Sequence, residues 1–167
     1  SENGQKMTSE IERIIKENSV EIMQTTPSVM KFHLENLNNK DSLKSLKYIM
    51  LAGEPLSKSL VDKIKEIVPD VTIYNGYGPS ETTIFSAVGN ATNQEEVTIG
   101  TPINNTQIYI LNKNKKVLPQ GTIGELYISG DGVGKGYMNK EQQTNASFII
   151  NPFIDGKVMY KVGDLGA

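Results

Sequence analysis

Cysteine is absent from this 167-residue chain, which excludes a disulfide scaffold and any thiolate metal site. The same absence fits a reducing compartment. Histidine occurs once, as His33, with no second His and no Cys to share a metal. It falls in a helical stretch, where a partly exposed surface position is the expectation. Ser–His–Asp hydrolysis has no support either, because no G-x-S-x-G elbow exists. An excess of positive charge is also missing. The chain has 17 Lys and Arg against 19 Asp and Glu, a net charge of −2, whereas nucleic-acid domains carry a basic face. No apolar run reaches the roughly 18 residues of a membrane span, and no signal peptide precedes the first helix-periodic positions. The expectation is a cytoplasmic protein without nucleic-acid or membrane partners. Repeats and low-complexity linkers are lacking too. The chain opens without Met in the polar stretch Ser1–Lys6 and stops just after Gly163-Asp164-Leu165, so both ends read as cuts in a longer protein.

What is present is enough for one domain or a large piece of one, able to bury roughly 70% of its unfolded surface. The first half alternates helix and strand. Ser9 can cap a helix with Ile11, Ile14 and Ile15 on its apolar side. Val20–Met23 is a short strand. Thr26 followed by Pro27 is an N-cap with proline at the first helical position, and Val29, Met30, Phe32 and Leu34 follow. Tyr48–Leu51 is a second strand. Ser57 caps a third helix, with Leu60, Val61, Ile64, Ile67 and Val68 on one face, and Pro69 ends it. Val71–Tyr74 is a third strand. Near-continuously apolar strands separated by helices predict a small parallel sheet covered on both faces. The second half changes character. Ile84–Val88, Gln107–Leu111, Ile123–Ser129 and Lys157–Val162 are strands with turn signals between them, among them the polar turn Asn112–Lys116. Glu141–Phe148 is a short helix. The fold class is therefore α/β over 1–83, followed by mainly antiparallel, β-barrel-like strands over 84–167.

The residues with most chemistry are Tyr74-Asn-Gly-Tyr-Gly-Pro-Ser-Glu-Thr-Thr-Ile-Phe85. A strand runs into a glycine–proline turn that can hold a flat ring on Tyr77 and an oxyanion or its metal on Ser80, Glu81 and Thr82. Gly76 and Gly78 allow a sharp turn and close ligand approach. Glu81 suits a hard cation such as Mg2+. A plain strand-ending turn fits the same residue types, so the motif alone leaves both readings open. Leu51-Ala52-Gly53-Glu54-Pro55-Leu56 ends the preceding strand, and ligands of open parallel sheets sit beyond the strands' carboxyl ends. Gly130-Asp-Gly-Val-Gly-Lys-Gly136 fails both phosphate-loop spacings, since Ser129 stands where the first glycine belongs and Gly136 replaces the final hydroxyl. It reads as a glycine-rich bend between strands. Asp164, after a strand and Gly163, could grip two ribose hydroxyls, or simply serve a turn.

In order and spacing these segments resemble adenylate-forming enzymes. Asn75–Glu81 resembles their NxYGPTE motif, Gly124–Tyr137 their GELxIxGxGVARGY motif, and Tyr160–Leu165 their YxTGDL motif. Asn105–Ile110 and Phe148–Phe153 resemble the amino-acid-activating branch, the adenylation domains of nonribosomal peptide synthetases. That resemblance implies a ligase of antibiotic or other secondary metabolism. It would join an amino-acid carboxylate to Mg-ATP, release pyrophosphate, and pass the acyl group to a phosphopantetheine thiol on a carrier domain. It implies nucleotide roles for Gly53, Asn75, Gly76, Tyr77, Ser80 and Asp164. Tyr77 would stack on adenine, Asn75 bond its amino edge, Ser80 touch the α-phosphate, and Asp164 hold the ribose. Glu81 would hold Mg2+. Gln24, Met50, Ala52, Gly76, Ile84 and Phe85 fall where the family lines its amino-acid pocket, and their mostly apolar character suggests a neutral substrate.

The sequence also departs from the family pattern. Val162 replaces the usual Thr before Gly-Asp, and Gly134-Lys135 replaces Ala-Arg. The family's phosphate loop would lie before residue 1, and its C-terminal subdomain with the catalytic lysine after residue 167, so no catalytic residue is expected inside the chain and the chain alone is expected to be inactive. Two alternatives fit the sequence as well, an acyl-CoA or aryl-acid ligase of the same superfamily and a non-catalytic scaffold module.

Overall fold

Helix formation begins earlier than the capping signal suggests. The computed structural model describes residues 2–167, with side chains from Gln5 onward, and α1 spans Glu2–Asn18. Ser9 lies inside this helix, its hydroxyl donating back to the Gln5 carbonyl at 3.0 Å. Such i−4 back-bonding lets a good capping residue sit in a helix interior. The other two signals match the structure. Thr26 caps α2 (Pro27–Glu35) by accepting from the Val29 N–H, and Ser57 caps α3 (Lys58–Ile67) by accepting from the Leu60 N–H.

The chain divides into two units. One runs through Gly76 and includes Val88–Gly100; the other comprises Tyr77–Ala87 and Thr101–Ala167. In the first, β1 (Ile22–Thr25), β2 (Tyr48–Ala52) and β3 (Thr72–Tyr77) pair in parallel. Next in the sheet comes β4 (Ala87–Asn90). It runs back along β3, with Ser86 N–H bonded to Tyr77 O at 2.7 Å and Ala91 N–H to Ile73 O at 2.8 Å.

Only one face of the parallel strands is sealed. Met23, Ile49, Leu51 and Ile73 pack with Ile15 of α1, Met30 and Leu34 of α2, and Leu60, Val61 and Ile64 of α3. On the opposite face, Ile22 is 68% and Tyr48 44% exposed. Coverage of both faces, expected from the apolar runs, is therefore not found among the described residues. The reason lies in strand order. The steps from β1 to β2 and from β2 to β3 go in the same direction across the sheet, and right-handed crossovers then put both connecting helices on the same side. Covering the second face requires a reversal of direction, and apolar content does not encode that.

The second unit contains the two-residue strand β5 (Thr101–Pro102) and an antiparallel sheet of β6 (Thr106–Leu111), β7 (Gly124–Gly130), β9 (Val158–Gly166) and β8 (Phe148–Ile150), in that spatial order. A short helix, α4 (Glu141–Ser147), leads into β8. Leu111, Tyr127 and Met159 are fully buried at its centre, with Tyr109 and Ile149 against them. This sheet is open, with β6 and β8 at its edges; no closed barrel occurs among the described residues.

Strand β9 carries an irregularity that matters for the site. Its register with β7 runs Tyr127↔Lys161 and then Glu125↔Leu165, leaving Val162, Gly163 and Asp164 opposite Leu126 alone. Bulges of this kind re-aim side chains. Gly163 takes φ 94°, a conformation that side chains with a Cβ rarely adopt.

Candidate functional site

The turn after β3 is a tight loop with a specific need for glycine. A Cβ on Gly78 would lie 2.6 Å from Ile84 O and 2.7 Å from Ser86 N, so only a residue without a side chain lets the chain double back here. Ser80–Thr82 form a single 3-10 turn. Thr83 and Ile84 follow at φ 64° and 68°, positions that β-branched residues normally avoid. The strand expected over Ile84–Val88 accordingly starts only at Ala87. Ile84 is 64% exposed, and Phe85 is half-buried. Strain of this type costs about 1–3 kcal/mol per residue and persists only when surrounding contacts impose it. Here Thr83 Oγ1 donates to Gly132 O at 2.8 Å, and Gly134 N–H donates to Glu81 O at 2.7 Å. The glycine-rich segment read as a plain bend therefore braces the Ser80–Ile84 loop.

The side chains of this loop separate by role. Ser80 is exposed. Thr82, grouped with Ser80 and Glu81 in the sequence reading, is buried, and its hydroxyl lies 2.6 Å from that of Ser86. It supports the loop and presents nothing outward. The Glu81 carboxylate accepts from the Tyr137 phenol at 2.7 Å. That hydrogen bond holds its carboxyl below the usual range, outweighing the opposing effect of partial burial. Tyr160 is buried with its hydroxyl 3.2 Å from that of Tyr137. Burial pushes its phenol up, reinforced by the bond to Tyr137 and the charge of Glu81.

Tyr77 and Asp164, chosen from separate motifs, touch. The Tyr77 phenol donates to Asp164 Oδ2 at 2.6 Å. Burial, then the bond to Asp164 and its charge, raise the Tyr77 phenol well above its ordinary value. Asp164 is exposed and lies in the β9 bulge.

In the first unit the register gathers other expected residues. Gln24 lies beside Met50, and Ala52 beside Gly76. Met50 and Ala52 are two apart on β2, so all four share a face. That face is the uncovered one. Asn75 points to the opposite side, where it is buried and donates through Nδ2 to Thr98 O at 2.9 Å. Gly53, at the end of β2, is exposed, with open space beside its α-carbon.

Two features escaped the sequence reading. Glu54 accepts from both the backbone N–H (2.9 Å) and the hydroxyl (2.7 Å) of Ser28. The bonds lower its carboxyl's proton affinity and tie the β2–α3 loop to the first turn of α2. The partners are 26 residues apart, and no local pattern announces the pairing. His33, expected on the surface, is 4% exposed. Its Nδ1 lies 3.2 Å from Thr8 Oγ1, and Nε2 has no hydrogen-bond partner among the described residues.

A divalent cation would find a sparse donor set. Among the described residues no group of three or more His, Cys, Asp or Glu could hold a metal ion. Mg2+ in general takes one or two carboxylates and fills its shell with phosphate oxygens and water. Among the described residues no helix is long and apolar enough to cross a membrane.

Comparison with known proteins adds the relationship. Gramicidin S synthase 2 of Brevibacillus brevis is 36% identical over 93% of this chain and 4% of that protein. Bacitracin synthase 3 of Bacillus licheniformis is 40% identical over 99% of this chain and 3% of its own length. The chain thus spans a small part of these relatives. Among solved structures, a four-domain nonribosomal peptide synthetase bound to AMP and glycine aligns with a TM-score of 0.80 at 30% identity, over 92% of this chain and 11% of that one. The nonribosomal peptide synthetase FmoA3 aligns with a TM-score of 0.84 at 21% identity, over 93% and 17%; this likeness is one of fold. The family described as AMP-binding enzyme matches residues 2–138. A match of that extent takes in the Tyr77 turn, the glycine-rich brace and the parallel strands together, and the chain belongs to the AMP-binding enzyme family.

Proposed function

We propose that this chain works within an ATP-dependent ligase that activates an amino acid as its aminoacyl-adenylate, for transfer to the phosphopantetheine thiol of a carrier domain. The observation that best supports the reading is the 2.6 Å bond between Tyr77 and Asp164, which joins two residues 87 positions apart. A ring next to a ribose-type carboxylate is what a nucleoside requires.

Mg-ATP would supply the adenylyl group and the pyrophosphate leaving group. The chain's own residues bind and orient. Tyr77 offers its ring face to adenine. Asp164 shares Oδ2 with the Tyr77 phenol and keeps Oδ1 for a ribose hydroxyl. Asn75, buried with its amide N–H on Thr98 O, keeps the adenine-edge role implied by the family resemblance. Gly53 and Gly76 allow close backbone approach, and Ser80 donates to a phosphate oxygen. Glu81, held ionised by Tyr137, is the carboxylate for Mg2+. The block of Gln24, Met50, Ala52 and Gly76 faces the amino-acid side chain, and its mostly apolar character favours a neutral substrate. Ile84 and Phe85 keep the substrate-side role implied by the family resemblance.

The test is isothermal titration of the folded chain with ATP and Mg2+, alongside Glu81→Ala and Asp164→Ala. Binding that both substitutions weaken supports the reading; no binding by wild type removes it for these residues. We expect no ATP–pyrophosphate exchange from the 167 residues by themselves, and near-normal turnover would refute that expectation.

A further inference from the structure

We propose that Tyr137 is a positioning residue for Glu81, holding one carboxylate oxygen so that the other is presented to the divalent cation. The inference rests on the reading of Glu81 as the Mg2+ carboxylate. It adds a residue to which neither composition nor motif spacing assigned a role.

The geometry runs from the carboxylate outward. Tyr137 donates its single phenolic proton to Glu81 Oε1 at 2.7 Å. Its oxygen therefore accepts from Tyr160, 3.2 Å away. A chain of two phenols ends on one carboxylate oxygen, each bond polarising the next. The chain is fixed from behind. The Phe148 ring contacts Tyr137 edge-on at 5.5 Å and Tyr160 at 5.0 Å. The backbone N–H of Tyr137 donates to Thr144 Oγ1 at 2.9 Å. Glu81 is also held through its main chain, its carbonyl accepting from Gly134 N–H at 2.7 Å. One segment, Gly134–Tyr137, thus grips Glu81 at its backbone and at Oε1.

A carboxylate anchored through one oxygen is suited to bind a cation through the other. Mg2+ demands near-ideal octahedral geometry, so a freely rotating glutamate would have to be ordered each time the ion binds. Partners that orient a ligating group commonly account for about 10–100-fold in metal affinity.

The experiment uses the full chain with ATP and Mn2+, a paramagnetic substitute whose binding is read by electron paramagnetic resonance without turnover. ATP affinity in the absence of metal is measured in parallel. Tyr137→Phe keeps the ring against Phe148 and removes only the phenol. The expected result is Mn2+ affinity in the ATP complex about 10-fold weaker, with metal-free ATP affinity unchanged and a larger loss in Glu81→Ala. If Glu81→Ala weakens Mn2+ binding and Tyr137→Phe does not, the inference is overturned while the Glu81 reading stands. If wild-type Mn2+ binding is absent or indifferent to Glu81→Ala, the Glu81 reading fails and the inference with it. Should Tyr137→Phe not fold, Tyr160→Phe takes its place, with an expected weakening of a few-fold; affinity equal to wild type would count against the inference.

Discussion

At Tyr77 a single phenol serves two purposes that substitution can separate. The ring is the proposed adenine surface, and the hydroxyl ties up Asp164 Oδ2. Tyr77→Ala removes both and should weaken ATP binding by about 1–3 kcal/mol, the range for losing base stacking on an aromatic ring. Tyr77→Phe removes only a hydrogen bond, worth about 1 kcal/mol, and frees an acceptor oxygen for ribose. Titration calorimetry should therefore rank Phe close to wild type and Ala far below; equal losses would mean that the ring does not stack. Tyr77 and Asp164 were both legible in the sequence, because each sits in a short motif of distinctive residue types. Tyr137 was not singled out. Its proposed role depends on a contact with Glu81 across 56 positions, which its place at the end of the Gly124–Tyr137 motif does not reveal. Thr82 misled for a related reason, since a hydroxyl next to Ser80 and Glu81 gives no sign that it faces inward to Ser86.

Secondary-structure elements hold these side chains through bonds that local sequence only partly reveals. The caps Thr26 and Ser57 were legible because capping spans three residues. The false start of the strand expected at Ile84 was not, because Thr83 and Ile84 take positive φ in a loop that Thr83 ties to Gly132, about fifty positions away. The β9 bulge yields a prediction of its own. Gly163→Ala meets no steric obstacle but must hold alanine at φ 94°, costing about 1–3 kcal/mol or flattening the bulge. Chemical denaturation should detect that cost, and ATP affinity should fall because Asp164 loses its aim. Unchanged affinity in the folded variant would separate the bulge from the site. Between α1 and α2, burial lowers the pKa of His33, partly opposed by the negative charge of Glu12. The unfolded chain, with an ordinary value of 6.5, takes up the proton first as pH falls. Stability is thus full above about 6.5 and declines as pH drops from there toward the lower folded value. Urea melts from pH 8 to 5 should show this decline, and His33→Met should flatten it. A slope unchanged in that variant would assign the effect to other groups.

For the whole molecule, three motifs in order made the family legible, whereas the layering of the first unit was not. Apolar content along β2 and β3 reads alike whether one or both faces are covered, and strand order decides which occurs. A net charge of only −2 offers an anion no net attraction, so the proposed nucleotide affinity rests on particular contacts. Such contacts have a global consequence. A ligand that binds the folded state alone stabilises it by RT ln(1 + [L]/Kd), about 2.7 kcal/mol at a hundredfold excess over Kd. Mg-ATP should therefore raise the melting temperature of the chain progressively with concentration. Asp164→Ala should remove most of the rise, whereas Lys113→Ala, in the exposed turn after β6, should leave it intact. A thermal-shift series with both variants decides the matter. An equal rise in wild type and Asp164→Ala would mean that nucleotide binds elsewhere on the molecule, and no rise at millimolar Mg-ATP would leave these residues with the family's fold but without its nucleotide site.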